Sequence, residues 1–251
     1  MISEAELSDF WSDIKSKILE MRVLDPQLDL LPGAKRHQYA INPILSEKVI
    51  LQFEKKYGIE LPAAYRTYLL KFGENGASAD GGILRFSQVI KHGDFHKSCS
   101  LQPFEGIYYL TEDEDPIDIT SGLALITPGA NPNSTYIILR GKWSGSMVWD
   151  TRDSYSCGSD FANWYNNWAN VSLGIINKRI ILRQLPVGSS IDELRSLMHD
   201  EEIQFGSDKG RQLAYIRHKA DLGVLSFIEL DKNNRTVAFY GSMDEIPNQS
   251  N

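Results

Sequence analysis

Four potential metal ligands lie within eight residues of each other. Imidazole, thiolate and carboxylate groups can bind zinc, and the residues concerned are His92, Asp94, His96 and Cys99. No second ligand pair with a recognisable metal-site spacing occurs elsewhere in the sequence. We therefore interpret this segment as a solvated loop and expect neither a metal nor another cofactor.

Familiar catalytic motifs are absent from the sequence. It contains no Gly-x-Ser-x-Gly elbow, no Gly-x-x-x-x-Gly-Lys phosphate loop and no dinucleotide fingerprint after a strand. The glycine-rich segment 206–211 has the wrong spacing and is interpreted as a turn. Cys157 would be a nucleophile only beside a histidine that nothing in the sequence positions, so a structural thiol is favoured. We expect a protein that is not an enzyme.

Acidic residues are concentrated in one stretch without cations. No Lys or Arg occurs between Lys97 and Arg140. The stretch carries six carboxylates, namely Glu105, Glu112, Asp113, Glu114, Asp115 and Asp118. Such a cluster either keeps a loop soluble or presents a negative field to a basic partner.

Composition excludes several classes of protein. The 251 residues are 42% hydrophobic and 24% charged, which is ordinary globular composition. The net charge of -7 argues against nucleic-acid binding, and no apolar run is long enough for a membrane helix. The acidic N-terminus does not resemble a secretory signal, and two cysteines do not indicate a disulfide framework. We expect a cytoplasmic protein, with a monomer favoured.

The spacing of apolar residues predicts the helices and strands that would position these residues. Three N-terminal helices are predicted, the second ending at Gly58 and the third beginning after Leu61-Pro62. Short apolar runs near residues 83, 107, 124, 137 and 148 predict an antiparallel sheet, and a closing helix from Ser159 or Asp160 to Gly174 buries Trp164 and Trp168. Trp143 lies in the hairpin loop between the last two runs, where burial is difficult, so it is a candidate partner contact.

The pattern restarts after residue 174. A strand over 178–185, a helix from Ser189 to about His199 and three further strands are predicted. The sequence thus predicts an α+β fold with two parts: a domain over 1–174, and a small module over 175–251 with one helix and an antiparallel sheet.

The segment 53–70 resembles the SUKH superfamily, which includes fungal cell-wall assembly regulators and bacterial immunity proteins. It carries Phe53-Glu54, Gly58, Leu61-Pro62 and a Leu-rich helix in the family's order. Segments 125–128, 136–139 and 145–150 and the closing helix extend the resemblance over residues 40–174. The family's usual Asn-Gly-Gly turn is replaced here by Gly73-Glu74-Asn75-Gly76.

The resemblance implies a non-catalytic α+β protein that neutralises a toxin in the cytoplasm by direct binding. The toxin would be a nuclease or another toxin that targets nucleic acid, and a basic one would fit the acidic stretch. Its expected contacts are the six carboxylates and Trp143. One alternative is a regulatory scaffold that binds cellular partners, and a more distant one is a metal-dependent enzyme using His92, Asp94 and His96.

Overall fold

The computed structural model describes residues 4–91, 93–101, 104–109, 120–127, 134–150, 154–198, 202–208, 211–217 and 224–240. The chain forms two compact units. Met1–Leu28 and Pro32–Leu173 make up the first unit, and Asp29–Leu31 and Gly174–Asn251 make up the second.

The first unit begins with the long helix α1, Glu4–Leu24. Its buried residues recur every three or four positions, as the sequence predicts, and they are Leu7, Trp11, Ile14, Ile18 and Met21. The Trp11 ring lies within 6 Å of the rings of Tyr68 and Tyr165. Helix α1 therefore contributes a central aromatic residue to the core of this unit.

Two helices follow a connection that includes the single turn α2, Ala34–His37. Helix α3, Glu47–Tyr57, ends at Gly58, whose φ of 61° is the left-handed conformation that glycine adopts without cost. Helix α4, Ala63–Thr67, begins after Pro62 and continues as one π-helical turn, Tyr68–Phe72. The predicted stop and start of these helices are confirmed.

A short helix and a five-stranded sheet complete most of this unit. Helix α5 is Phe86–Val89. The strands are β1 (Phe104–Tyr109), β2 (Leu123–Thr127), β3 (Ser134–Ile138), β4 (Ser146–Asp150) and β5 (Ser154–Asp160). Neighbouring strands are antiparallel in the order β1-β5-β4-β3-β2, which leaves β1 and β2 at opposite edges.

The closing helix differs from its predicted length. Helix α6 runs from Phe161 to Gln184, so it does not end at Gly174, and the strand predicted over 178–185 is wrong. Ile176, Arg179 and Leu182 are buried at a spacing of three, which is a helical face within an Ile-rich run that also suits a strand. The residues of α6 from Gly174 onward belong to the second unit.

The second unit combines the end of α6 with one further helix and a four-stranded sheet. Helix α7 is Ile191–Leu197, and Ser190 and Glu193 form its N-terminal capping box. The strands are β6 (Glu202–Asp208), β7 (Arg211–Arg217), β8 (Val224–Leu230) and β9 (Thr236–Tyr240), antiparallel in that order. Its buried cluster is Leu182, Leu194, Met198, Ala214, Ile216, Ile228 and Leu230. The α+β class with a C-terminal α+β module is confirmed.

Candidate partner-binding site

The acidic stretch between Lys97 and Arg140 contains both edge strands of the first sheet, β1 and β2. Glu105 lies in β1, which pairs only with β5 among the described strands. The remaining five carboxylates, Glu112, Asp113, Glu114, Asp115 and Asp118, lie outside the described residues, between Tyr109 and Thr120. Their assignment to a partner-binding surface therefore stays a prediction, as does that of Glu105.

The two ends of the cation-free stretch are neighbours in the fold. The backbone N–H of Cys99 donates a hydrogen bond to the carbonyl oxygen of Arg140 at 2.9 Å. Lys97 and Arg140, the cations that bound the stretch in sequence, are therefore held on adjoining segments. Sequence position alone separates them by more than forty residues.

Arg140 fastens this region to the end of helix α3. Its Nη1 atom donates to the carbonyl oxygens of Tyr57, at 2.9 Å, and of Phe95, at 3.0 Å. The Tyr57 carbonyl belongs to the last turn of α3, where helix carbonyls have no partner within the helix and the helix dipole favours a cation. Sequence reasoning used Arg140 only as a boundary and missed this role, because both of its partners are distant in sequence.

Trp143 lies in the β3–β4 loop, as predicted, but its side chain is half-buried. The indole packs against a cluster on one sheet face that includes Tyr136, Val148 and Cys157. The ammonium of Lys142 lies 4.8 Å from the centre of the indole ring, within the range of a cation–π interaction. Trp143 thus has a packing role, and its contact with a partner stays a prediction.

The four potential metal ligands have other contacts where the structure describes them. An Asp94 oxygen accepts the His96 backbone N–H at 3.1 Å, and Lys97 pairs with the same carboxylate at 3.5 Å. The His96 ring lies 5.1 Å from that of Tyr57. His92 lies outside the described residues, and within them no three or more His, Cys, Asp or Glu side chains are grouped as a metal site.

The thiol of Cys157 is poorly suited to nucleophilic chemistry. Cys157 is buried within the sheet cluster that also contacts Cys99. Burial, with a smaller contribution from the neighbouring Cys99, raises the pKa of Cys157 to about 11. The reactive thiolate is therefore scarce at neutral pH, in agreement with a structural thiol.

The segments of the sequence motif that resembles the family contact one another in the fold. Glu54 Oε1 accepts hydrogen bonds from the Leu61 N–H at 3.0 Å and from Arg66 Nε at 3.3 Å, which fixes the turn from α3 to α4. A Cβ atom on Gly145, whose φ is 99°, would lie 3.3 Å from the Cβ of Pro62. Pro62 of the Leu-Pro segment thus packs directly against Gly145, the glycine that precedes β4.

The turn Gly73-Glu74-Asn75-Gly76, which departs from the family's usual sequence, also packs closely against neighbouring backbone. A Cβ atom on Gly73 would lie 2.7 Å from the carbonyl oxygen of Asn42, and one on Gly76 would lie 2.6 Å from that of Ala40. Any larger side chain would push these backbones apart. The two glycines of Gly73-Glu74-Asn75-Gly76 therefore hold the connection before α3 against the end of the π-helical turn.

The first unit is an α+β domain with N-terminal helices and an antiparallel sheet. Its distinguishing feature is a helix, a glycine, a Leu-Pro pair and a second helix in sequence, with the Leu-Pro pair packed against the β3–β4 hairpin. The family model described as SMI1 / KNR4 family (SUKH-1) matches residues 44–172, about half of the chain. The chain belongs to this family. Comparison with curated proteins and with solved structures gave no significant match.

Membership of the SUKH superfamily confirms the resemblance seen in the sequence. The family is generally one of immunity and regulatory proteins without catalytic activity. Among the helices of the described residues, none is long and apolar enough to span a bilayer.

Proposed function

We propose that this protein is an immunity protein, which binds a cognate toxin domain in the cytoplasm and neutralises it without catalysis. The observation that supports this proposal most is the family match, which covers helices α3 to α5, the five-stranded sheet and the first half of α6, but not α1 or α2. The absence of familiar catalytic motifs from the sequence and the raised pKa of the Cys157 thiol favour binding over chemistry.

The distribution of charge favours one kind of toxin as the partner of this protein. A toxin that acts on nucleic acid needs cations around its active site to hold phosphates. A stretch of six carboxylates without Lys or Arg would attract such a surface and compete with its substrate. We therefore propose a basic nuclease, or another toxin that targets nucleic acid, as the partner of a monomeric immunity protein.

The first test is co-purification of the full chain with the product of the neighbouring gene. We expect a one-to-one complex in which the toxin activity is lost. Binding to the neighbour's product without any loss of its activity, or binding only to unrelated cellular proteins, would contradict the proposal and favour a regulatory scaffold.

The second test locates the contact by charge reversal. Replacing Glu112, Asp113, Glu114 and Asp115 with Lys is expected to slow association strongly at low salt, because steering depends on the summed field and is screened by salt. A control that reverses Asp9, Asp13, Glu20 and Glu60 changes the net charge equally but at exposed positions elsewhere. Equal slowing by both variants would remove the acidic stretch from the mechanism.

A further inference from the structure

Helices α3 and α5 enclose an apolar groove on the first unit, which we call the α3 groove. Its cavity measures about 300 Å³. It is lined by Leu45, Val49, Gln52, Phe53, Lys56, Tyr57, Glu74, Phe86, Ser87 and Ile90. Several of these side chains are accessible to solvent, among them Val49, Gln52 and Lys56.

The floor of the α3 groove is aromatic and its edge is exposed. The rings of Phe53 and Phe86 are buried and lie 5.3 Å apart in an edge-to-face arrangement. Val49 at the groove's edge is 40% exposed, and Ile44, just before the groove, is 55% exposed. Apolar side chains adjoining an open recess favour contact with another molecule.

The groove has the length of two helical turns. Val49 and Lys56 are seven residues apart on α3, or about 10 Å along the helix axis. Two apolar side chains spaced one turn apart on a partner helix have Cβ atoms about 5–6 Å apart, so both fit within this length. The groove thus suits an amphipathic helix better than a single side chain.

Charge is positive at the end of the groove where α3 finishes. Lys56 lines this end, with its ammonium 4.6 Å from the centre of the Tyr57 ring. The guanidinium of Arg140 is fixed on the Tyr57 carbonyl, and Lys97, with a side chain 71% exposed, follows the His96 that contacts Tyr57. The one carboxylate described among these groups is that of Asp94, which pairs with Lys97.

Charge is negative at the other end. Glu74 lines the groove near the start of α3, and its backbone N–H donates to the Pro43 carbonyl at 3.0 Å. This carboxylate and the apolar floor disfavour a phosphate backbone, which needs cations along its length. The complementary surface is a protein helix with acidic residues at one end and a basic residue at the other.

We propose that the α3 groove binds an amphipathic helix of a partner protein. That helix places two apolar side chains, one turn apart, over Phe53 and Phe86, and its acidic end faces Lys56 and Arg140. This inference does not depend on the toxin assignment, because the groove selects an apolar helix with one acidic end, whereas the acidic stretch selects a basic surface.

The test uses the full chain as bait for a phage-displayed library of random peptides. We expect enriched sequences to carry two apolar residues three or four positions apart, with Asp or Glu toward one end. Synthetic versions of these peptides are then titrated by fluorescence anisotropy. Absence of enrichment, or enrichment of basic sequences, would overturn the proposal.

Matched variants on one helix locate the binding. Val49→Asp and Lys56→Glu are each expected to weaken binding about tenfold or more, as at an interface hot spot. Leu51→Asp and Lys55→Glu introduce the same charges at exposed positions of α3 that do not line the groove, and should change affinity less than about twofold. Equal effects of Val49→Asp and Leu51→Asp would overturn the proposal.

A variant on α5 and two alternative occupants complete the test. Ser87→Arg fills the groove from the other helix, and we expect it to block the peptides without unfolding the chain, because Ser87 is exposed. Single-stranded RNA that binds in a Lys56-dependent but Val49-independent manner would overturn the proposal. Self-association of the chain that Val49→Asp abolishes would also overturn it, in favour of a second copy as occupant.

Discussion

The guanidinium of Arg140 donates from one nitrogen to the backbone carbonyls of Tyr57 and Phe95, at 2.9 and 3.0 Å. These carbonyls belong to the last turn of α3 and to the loop that precedes the cation-free stretch. Arg140 itself lies two residues after the end of β3. One side chain therefore connects three segments that bear on both proposed binding surfaces.

Replacing Arg140 with Ala is expected to lower the free energy of unfolding by about 1.5–3 kcal/mol, because two carbonyls lose a charged donor. Arg140→Lys, which keeps a charge but not the fork geometry, should lose less. The measurement is urea unfolding followed by tryptophan fluorescence. Lys15→Ala on α1 is the control, since Lys15 is exposed, and it should change stability by about 0.5 kcal/mol or less. Equal losses in both variants would contradict this role of Arg140.

Glu54 is expected to be the more important of the two carboxylates that contact Arg66. Its side chain is 12% exposed and accepts hydrogen bonds from both the Leu61 N–H and Arg66 Nε, whereas the side chain of Glu47 is 52% exposed and pairs with Arg66. Glu54→Ala should cost about 1–3 kcal/mol, because it leaves the Leu61 N–H without this acceptor. Glu47→Ala should cost about 1 kcal/mol or less, as surface ion pairs do. The comparison is made by chemical unfolding, and a larger loss from Glu47→Ala would refute it.

The sequence predicts the helices whose ends and faces depend on residues close together in the chain. Gly58 ends α3 because its left-handed φ favours glycine, and the spacing of Leu7, Trp11 and Ile14 fits one helix face. Strand β5, Ser154–Asp160, was not predicted, because its residues are small and polar apart from Tyr155 and Cys157, and its strand state comes from pairing with β1 and β4. Strand β6 was missed for a similar reason, since it is half polar and contains Gly206.

The buried face of α6 could not be predicted, because its aromatic residues are closely spaced in sequence. Trp164 and Trp168 are half-buried, whereas Tyr165 between them is fully buried and its hydroxyl donates to the Ala77 carbonyl. Neighbouring positions on a helix differ by only about 100° in direction, so three aromatics within five residues fit two different faces. The role of Arg140 was also beyond sequence reasoning, because its partners lie 83 and 45 residues away.

His37 is expected to make the fold sensitive to acid. Burial lowers the pKa of His37 to about 4, and the opposing influence of Asp25 is smaller. Its Nδ1 atom accepts the Tyr39 N–H at 3.0 Å, across a turn in which Gln38 and Tyr39 both have positive φ. Protonation of Nδ1 removes this acceptor and places a charge in the interior.

The sign of the pH effect follows from the lowered pKa. Between pH 6.5 and about 4 the unfolded chain binds the proton and the folded chain does not, so stability falls as the pH decreases through this window. The slope from this one group is at most about 1.4 kcal/mol per pH unit. His37→Asn, which can keep an acceptor for Tyr39, should flatten the pH profile relative to that of the unsubstituted protein. Unfolding free energies between pH 4 and 7 that run parallel for the two proteins would show that His37 does not titrate in this way.

Trp143 allows packing and partner contact to be separated. The indole is half-buried against the sheet cluster, so Trp143→Ala should destabilise the chain, whereas Trp143→Phe keeps an aromatic ring on Tyr136 and Val148 and should destabilise it less. If the loop anchors the toxin, both variants should increase the dissociation rate, with little change in the association rate. Trp149→Ala, at an exposed tryptophan of β4 outside the loop, is the control and should leave dissociation unchanged. Surface plasmon resonance of the complex measures both rates. Normal dissociation of the Trp143→Phe complex, together with a destabilised but binding-competent Trp143→Ala chain, would assign Trp143 to packing alone.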